Sequence, residues 1–395
     1  MTPTILSVLM VSIVALIVPW VLLRIGPAIP VIAMEILVGM IFGRSGLGWI
    51  KPSSTVNFLS LFGLSFIMFL YGLETNVSLW FVFSKSRAVL SNPVPIAVLW
   101  LSIGFLEGFG LHWARLISDP VAISLLLSSS APTVLLPTLK ERNLVGSSFG
   151  QYLLTLGILV DSATLIGVTV LIAFHHGGKS AGLLLLLLLP LPLLAVKPIA
   201  GHLHKLWLGS GYDSVTSQIG VRGSLMIITL FIAFAETLGT ITVLGAFLSG
   251  ILVSMIAGSR REMLQEKLDT VGFGYFIPFF FVSIGAGLDL RPYLMSKALW
   301  TLVAVFITAI AVISLGLSRA LQCGFARQQA RAMSLLLATR LSVTVAGSLI
   351  LFRAGMISNL QYLSMVLTSV LSALIFPPWF HRLIASEMAL PSKIQ

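Results

Sequence analysis

The sequence predicts an all-α, polytopic membrane protein of about 13 transmembrane helices. Three observations carry the class and the count. Of the 395 residues, 57% are hydrophobic and 9% are charged, against roughly 25% charged in an ordinary soluble domain. Apolar stretches of about 20 residues, each enough for a hydrocarbon core of about 30 Å, recur from end to end. They read as spans over about 4–26, 28–43, 55–76, 88–106, 119–139, 147–174, 180–198, 215–237, 239–257, 272–290, 295–318, 329–352 and 357–384. The basic residues supply the third observation. With the N-terminus outside and the C-terminus cytoplasmic, 15 of the 24 Lys and Arg fall on the cytoplasmic side and seven outside, while Arg222 and Arg340 fall within spans. Such an excess orients membrane helices, and adding or losing one span would scramble it.

The first span, "ILSVLMVSIVALIVPWVLL", follows only "MTPT". It lacks a basic leader region and exceeds the core of a signal peptide, so it reads as a retained span. A lone cysteine, Cys323, excludes an internal disulfide framework. The net charge of +11 is spread over short loops with no aromatic-interleaved basic cluster, which argues against a nucleic-acid partner. The seventh span holds seven consecutive leucines, Leu183 to Leu189, and then "PLP"; it reads as a lipid-facing linker. Six spans precede it and six follow. An even-numbered unit followed by one connector places the second unit upside down, so the plan predicted is two inverted six-helix repeats, as in many secondary transporters.

Polar chemistry sits in three of the spans. The fifth reads "DPVAISLLLSSSAPTVLLPTL", in which Ser128, Ser129 and Ser130 precede Pro132, with Pro137 beyond. Proline has no amide hydrogen and crowds the carbonyl four residues back, so helical bonding fails here. In lipid, broken backbone is tolerated only where protein or water lines it. The carbonyls of Leu127, Ser128 and Ser129, with the hydroxyls of Ser130 and Thr133, are then candidate cation ligands; a simple packed kink is the alternative. The sixth span, "GQYLLTLGILVDSATLIGVTVLIAF", carries Asp161 near its middle. An ionised Asp there costs about 2.5–3.5 kcal/mol on insertion scales. Gly157 and Thr164 share its face. The glycine permits close approach of another backbone, and the threonine offers a hydroxyl. A proton and a metal cation would compete for the oxygens of this acid, which could instead be a structural cap on a broken neighbouring helix.

The twelfth span, "ARAMSLLLATRLSVTVAGSLILF", takes the place in the second half that the fifth takes in the first. Its "ATRLSVT" is polar for a span, with Thr339 beside Arg340, the only charge. Arg340 should pair with a carboxylate, Asp161 being the partner of choice, or cap freed carbonyls; snorkelling to one surface is the alternative. Glu35 reads as a packing or cavity-mouth residue and Glu236 as structural, Glu74 and Asp119 fall at span edges, and the six histidines read as loop or tail residues. With no His/Cys cluster, P-loop, nucleophile motif or nucleotide fingerprint, neither an enzyme nor a cofactor is expected.

Taken together, "IPVIAMEILVGMIFGRSGLG", "FGLSFIMFLYGLETN", "SLLLSSSAPTVLLPTLKE", "FGQYLLTLGILVDSATLI", "LGAFLSGILVS" and "YFIPFFFVSIGAGLDL" resemble the monovalent cation:proton antiporter superfamily, nearer its CPA2-type sodium/proton and potassium/proton exchangers. The resemblance runs through nearly the whole chain. It implies a homodimer built on a scaffold of residues 1–82 and 215–292. It implies a mobile core of 86–174 and 295–385, a linker helix over 180–198, and two discontinuous helices crossing at spans five and twelve, the second at Thr339. The essential ion-carrying acid matches Asp161. Three positions depart from the pattern: Val160 stands where the residue before that acid is usually Asp, Asn or Gln. Ser130-Ala131 replaces a Thr-Asp or Thr-Ser pair, and the eleventh span lacks the lysine of electrogenic members, Ser314 lying near its place. The function expected is exchange of protons for sodium or potassium, one for one, in the inner or plasma membrane. A sodium-coupled organic-anion symporter and a non-transporting sensor or channel-like relative are the alternatives.

Overall fold

A computed structural model describes residues 3–25, 30–74, 93–144, 147–188, 217–237 and 242–388. These form α1 (Pro3–Ile25), α2 (Val31–Phe42), α3 (Ser54–Glu74), α4 (Val94–Trp113), α5 (Pro120–Ser128), α6 (Pro132–Glu141), α7 (Ser148–Leu188), α8 (Ile219–Thr237), α9 (Thr242–Ala257), α10 (Arg261–Val271), α11 (Ile277–Gly287), α12 (Lys297–Leu321), α13 (Arg327–Leu337), α14 (Ser342–Arg353) and α15 (Asn359–Met388). Among the described residues, eight helical stretches are long and apolar enough to cross a bilayer, and four shorter apolar helices lie between them. The chain is a multi-pass membrane protein.

Local chemistry explains several boundaries. Asp119 caps α5 by accepting a hydrogen bond from the Ala122 amide at 2.9 Å, and Pro120 then occupies the first helical position, where its missing N–H is no loss. Pro132 opens α6 in the same way. A π-helical turn, Gly272–Phe276, joins α10 to α11 just before Pro278; there the Ile277 N–H donates to the Gly272 carbonyl five residues back.

Two sequence expectations change. A break was expected between spans six and seven, near residues 175–179, yet α7 continues through it to Leu188. Two glycines there cost a helix only about 1 kcal/mol each, which a continuous rod absorbs. The linker helix expected over 180–198 lies outside the described residues from 189 onward. The histidines are the second change: His112, His175, His176 and His381 stand within α4, α7 and α15, while His202 and His204 lie outside the described residues.

The helices pack in two groups. In one, α2 lies on α11, and α3 lies on α9 and α11, with α1 against α2 and α11. Between α2 and α11 and between α3 and α9 the backbones themselves touch. A side-chain carbon at Gly39 would strike the Val282 carbonyl, and one at Gly72 would strike the Phe247 carbonyl. In the other, α4 packs on α5 and α12, α15 packs on α12, α13 and α14, and α14 reaches α5 and α7. This second group is where buried serines and threonines concentrate.

Candidate functional site at two interrupted helices

The helix expected over 119–139 stops at Ser128 and restarts at Pro132, with Ser129 extended (ψ 170). The amide and hydroxyl of Ser130, in the break, turn to α7. Ser130 N–H donates to Asp161 Oδ1 at 3.1 Å, and Ser130 Oγ donates to the Gly157 carbonyl at 3.0 Å. Asp161 and Gly157 are one helical turn apart, so a single residue of the break docks on both. A side-chain carbon at Gly157 would lie 2.7 Å from a Leu135 methyl and 3.4 Å from Ser130 Oγ, so Leu135 would have to turn aside to admit one.

The helix expected over 329–352 is also interrupted. It stops at Leu337 and restarts at Ser342, with Leu341 at φ −147, ψ −86. Arg340 fills the gap and is 1% exposed, so it does not snorkel. Its Nε donates to the Leu127 carbonyl at 2.9 Å and its Nη1 to the Leu337 carbonyl at 2.7 Å. These carbonyls lie at the C-terminal ends of α5 and α13, where helix dipoles concentrate negative charge. One guanidinium therefore caps both broken ends. Of the alternatives read from the sequence, carbonyl capping carries its hydrogen bonds, while Asp161 acts on its charge through space. Its carbon lies 5.1 Å from the centre of the Trp100 ring, within the range of cation–π attraction. Ser372 of α15 accepts from the Arg340 amide at 2.9 Å and lies 2.9 Å from the Arg340 carbonyl.

The breaks meet each other. Ser129 Oγ and Thr344 Oγ1 are 2.5 Å apart, and Thr133 Oγ1 and Ser342 Oγ are 2.8 Å apart. Tyr71 of α3 donates to Ser342 Oγ at 2.7 Å, tying the first helix group to the second. The positive N-terminal ends of α6 and α14 thus lie together, opposite the C-terminal ends that Arg340 neutralises.

Asp161, Ser128, Ser129, Ser130, Pro132 and Arg340 all gather at this crossing. Some of the expected ligands are committed elsewhere: the Leu127 carbonyl is taken by Arg340, and Thr164 Oγ1 donates to the backbone carbonyl of Asp161 at 2.8 Å rather than to its carboxylate. Pro137 lies inside α6, away from the break. Thr339 is fully buried, and its hydroxyl has no partner among the described residues.

A cavity of about 1140 Å³ leads to the crossing, bounded by α1, α2, α10 and α11 on one side and by α6 and α7 on the other. Glu35, Glu262 and Asp269 line its walls, and Pro132 and Thr133 line it at the break. Glu35 is thus a cavity residue, 3% exposed; the side chains of Glu74 and Glu236 lie outside those described. Among the described residues no three His, Cys, Asp or Glu side chains cluster for a tightly held metal ion.

Sequence reading missed Glu107, Tyr71, Ser342, Thr344 and Ser372. Placing the end of the fourth span at 106 hid Glu107, although an acid in "GFLEGFG" was the signal. Ser342 and Thr344 stood in plain view within "ATRLSVT".

Comparison with known proteins adds to this geometry. A family model described as "Sodium/hydrogen exchanger, transmembrane" matches residues 12–385. The protein YjbQ of Bacillus subtilis, assigned by its name to the Na(+)/H(+) antiporters, is 30% identical over 96% of this chain and 63% of its own length. The chain therefore spans less than two thirds of that relative. The Na(+)/H(+) antiporter of Enterococcus hirae is 25% identical over 88% of this chain and 90% of its own. The solved structure of the sodium proton antiporter MjNhaP1 from Methanocaldococcus jannaschii superposes with a TM-score of 0.61. It covers 96% of this chain and 97% of its own at 14% identity, a likeness of fold.

Proposed function

The chain belongs to the transmembrane sodium/hydrogen exchanger family, a family of transporters rather than enzymes, and from that premise we propose that it exchanges protons for a monovalent alkali cation, sodium or potassium, at Asp161. One observation carries the assignment to that residue: a 1% exposed carboxylate bonded to the backbone of one interrupted helix where it crosses another. In the first loaded state Asp161 holds a proton. In the second its carboxylate holds the cation, with the Ser130 and Thr133 hydroxyls and the Ser128 and Ser129 carbonyls completing the oxygen shell. Both ions use the same carboxylate, so each displaces the other, and coupling needs no separate gate.

The two helix groups suggest how the site changes sides. The glycine-sealed group of α1–α3 and α8–α11 serves as a static scaffold and, in a homodimer, as the contact between subunits. The polar group of α4–α7 and α12–α15 moves against it as an elevator. The membrane is the inner or plasma membrane, with the N-terminus outside and the C-terminus cytoplasmic, as the basic residues favour. Val160 and Ala131 contribute no second acid, and the eleventh span has no lysine, which supports one-for-one exchange.

The test is proton flux in proteoliposomes, followed with an internal pH dye and titrated with sodium, potassium and lithium, with and without imposed voltage. Asp161→Asn should lose exchange while purifying as the parent protein does. Undiminished exchange in that variant overturns the assignment.

A further inference from the structure

Glu107 lies on the face of α4 that packs against the first interrupted helix. On that face, side chains at Gly104 and Gly108 would strike Ser128 and Ser124 of α5. Trp100, two turns back on the same face, is the ring that lies 5.1 Å from the Arg340 guanidinium carbon. Among the described residues, both buried carboxylate oxygens of Glu107 accept no hydrogen bond and the buried Arg340 Nη2 finds no acceptor. Arg340 feels two carboxylates through space, Asp161 first and Glu107 second, and Glu107 feels the guanidinium in turn. Buried polar atoms without partners are rare. An acid and a base left in this condition beside the same crossing call for an electrostatic explanation rather than one from hydrogen bonding.

Charge counting supplies that explanation, resting on the reading that Asp161 is the cation site. Protonated Asp161 is neutral, and ionised Asp161 with a bound alkali cation is neutral as well. Arg340 adds one positive charge to both states. Uncancelled, that charge would repel every cation approaching Asp161 and would have to cross the membrane with the moving helices. We infer that Glu107 is the counter-anion of Arg340, a positioning residue that cancels the guanidinium charge and so leaves Asp161 able to trade its proton for a cation. Asp161 then need not serve as Arg340's permanent partner, which would hold it away from its ligands.

The experiment measures exchange in proteoliposomes at fixed pH over a range of cation concentrations. Glu107→Gln keeps the side-chain shape and removes the charge. Its half-saturating cation concentration should rise by about tenfold or more, the effect of one uncancelled charge several ångströms from the bound cation at intermediate polarity. Its maximal rate should stay within about threefold of the parent, because no ligand has been removed. Glu107→Asp should restore the parent half-saturation. On a solid-supported membrane, a cation jump should give a transient current with Glu107→Gln that the parent lacks. A role in packing alone predicts a lowered maximal rate, no new current and no rescue by the shorter acid; that pattern, or an unchanged half-saturation, overturns the inference. If Asp161→Asn abolishes exchange while Glu107→Gln behaves as the parent, this inference alone fails. If Asp161→Asn exchanges normally, the functional reading fails with it.

Discussion

The two interrupted helices reach similar shapes by different causes. At the first, covalent structure forbids continuity. Pro132 has no amide hydrogen and would crowd the Ser128 carbonyl, and the residue before a proline is pushed out of the helical region. At the second, the sequence "LATRLS" contains no proline or glycine, and Ala, Arg and Leu are among the strongest helix formers. That helix is opened from outside. Arg340 is held at its amide by Ser372 and at its side chain by carbonyls of α5 and α13. One interruption is written in its own segment, while the other depends on partners that must already be in place.

Removing those partners should therefore damage the second break far more than removing the proline damages the first. The largest effect is expected from Arg340→Ala, which deletes two hydrogen bonds from a charged donor, each worth about 1.5–3 kcal/mol, and exposes two helix ends inside the membrane. A loss of about 3 kcal/mol or more should appear as a lower melting temperature in detergent, with exchange below about one hundredth of the parent. Parent-like melting would show that the second break stands without its arginine. Ser372→Ala comes next. It removes a hydroxyl that contacts both the amide and the carbonyl of Arg340, and should cost about 1–2 kcal/mol with a partial loss of exchange. Amide hydrogen exchange at 339–341 is the sharper readout, since protection there should fall while that at 129–131 holds. The smallest effect belongs to Pro132→Ala, expected within about 1 kcal/mol of the parent, because the Ser129 and Ser130 bonds remain. If this variant melts as low as Arg340→Ala, the contrast between the two breaks is wrong.

The same contrast governs what could be read from the chain. Membrane class followed from composition, and the first break followed from Pro132, because both are local properties. Asp161 was visible as an acid in an otherwise apolar span. The Arg340 bonds were not, since its acceptor Leu127 lies 213 residues away and nothing local to either position specifies the pairing. The continuity of α7 was misjudged because "HHGGKS" has the composition of a loop, whereas helix breaking by glycine is a small energy that a long rod overrides. Glu107 was lost because the fourth span was ended at 106, whereas α4 runs on to Trp113.

The Tyr71 hydroxyl, 2.7 Å from Ser342 Oγ, spans the seam between the two helix groups. In the elevator movement proposed above, sliding one group along the other would part this bond, and its worth of about 1 kcal/mol would correspond to about a fivefold preference for the arrangement seen here. A carrier weighted in this way would rest with one doorway open more often than the other. Its two faces would then show unequal apparent affinities for the same ion, even with the same binding oxygens on both sides. The direction in which such a protein runs most readily at low ion concentration would trace to a phenol that touches no ion.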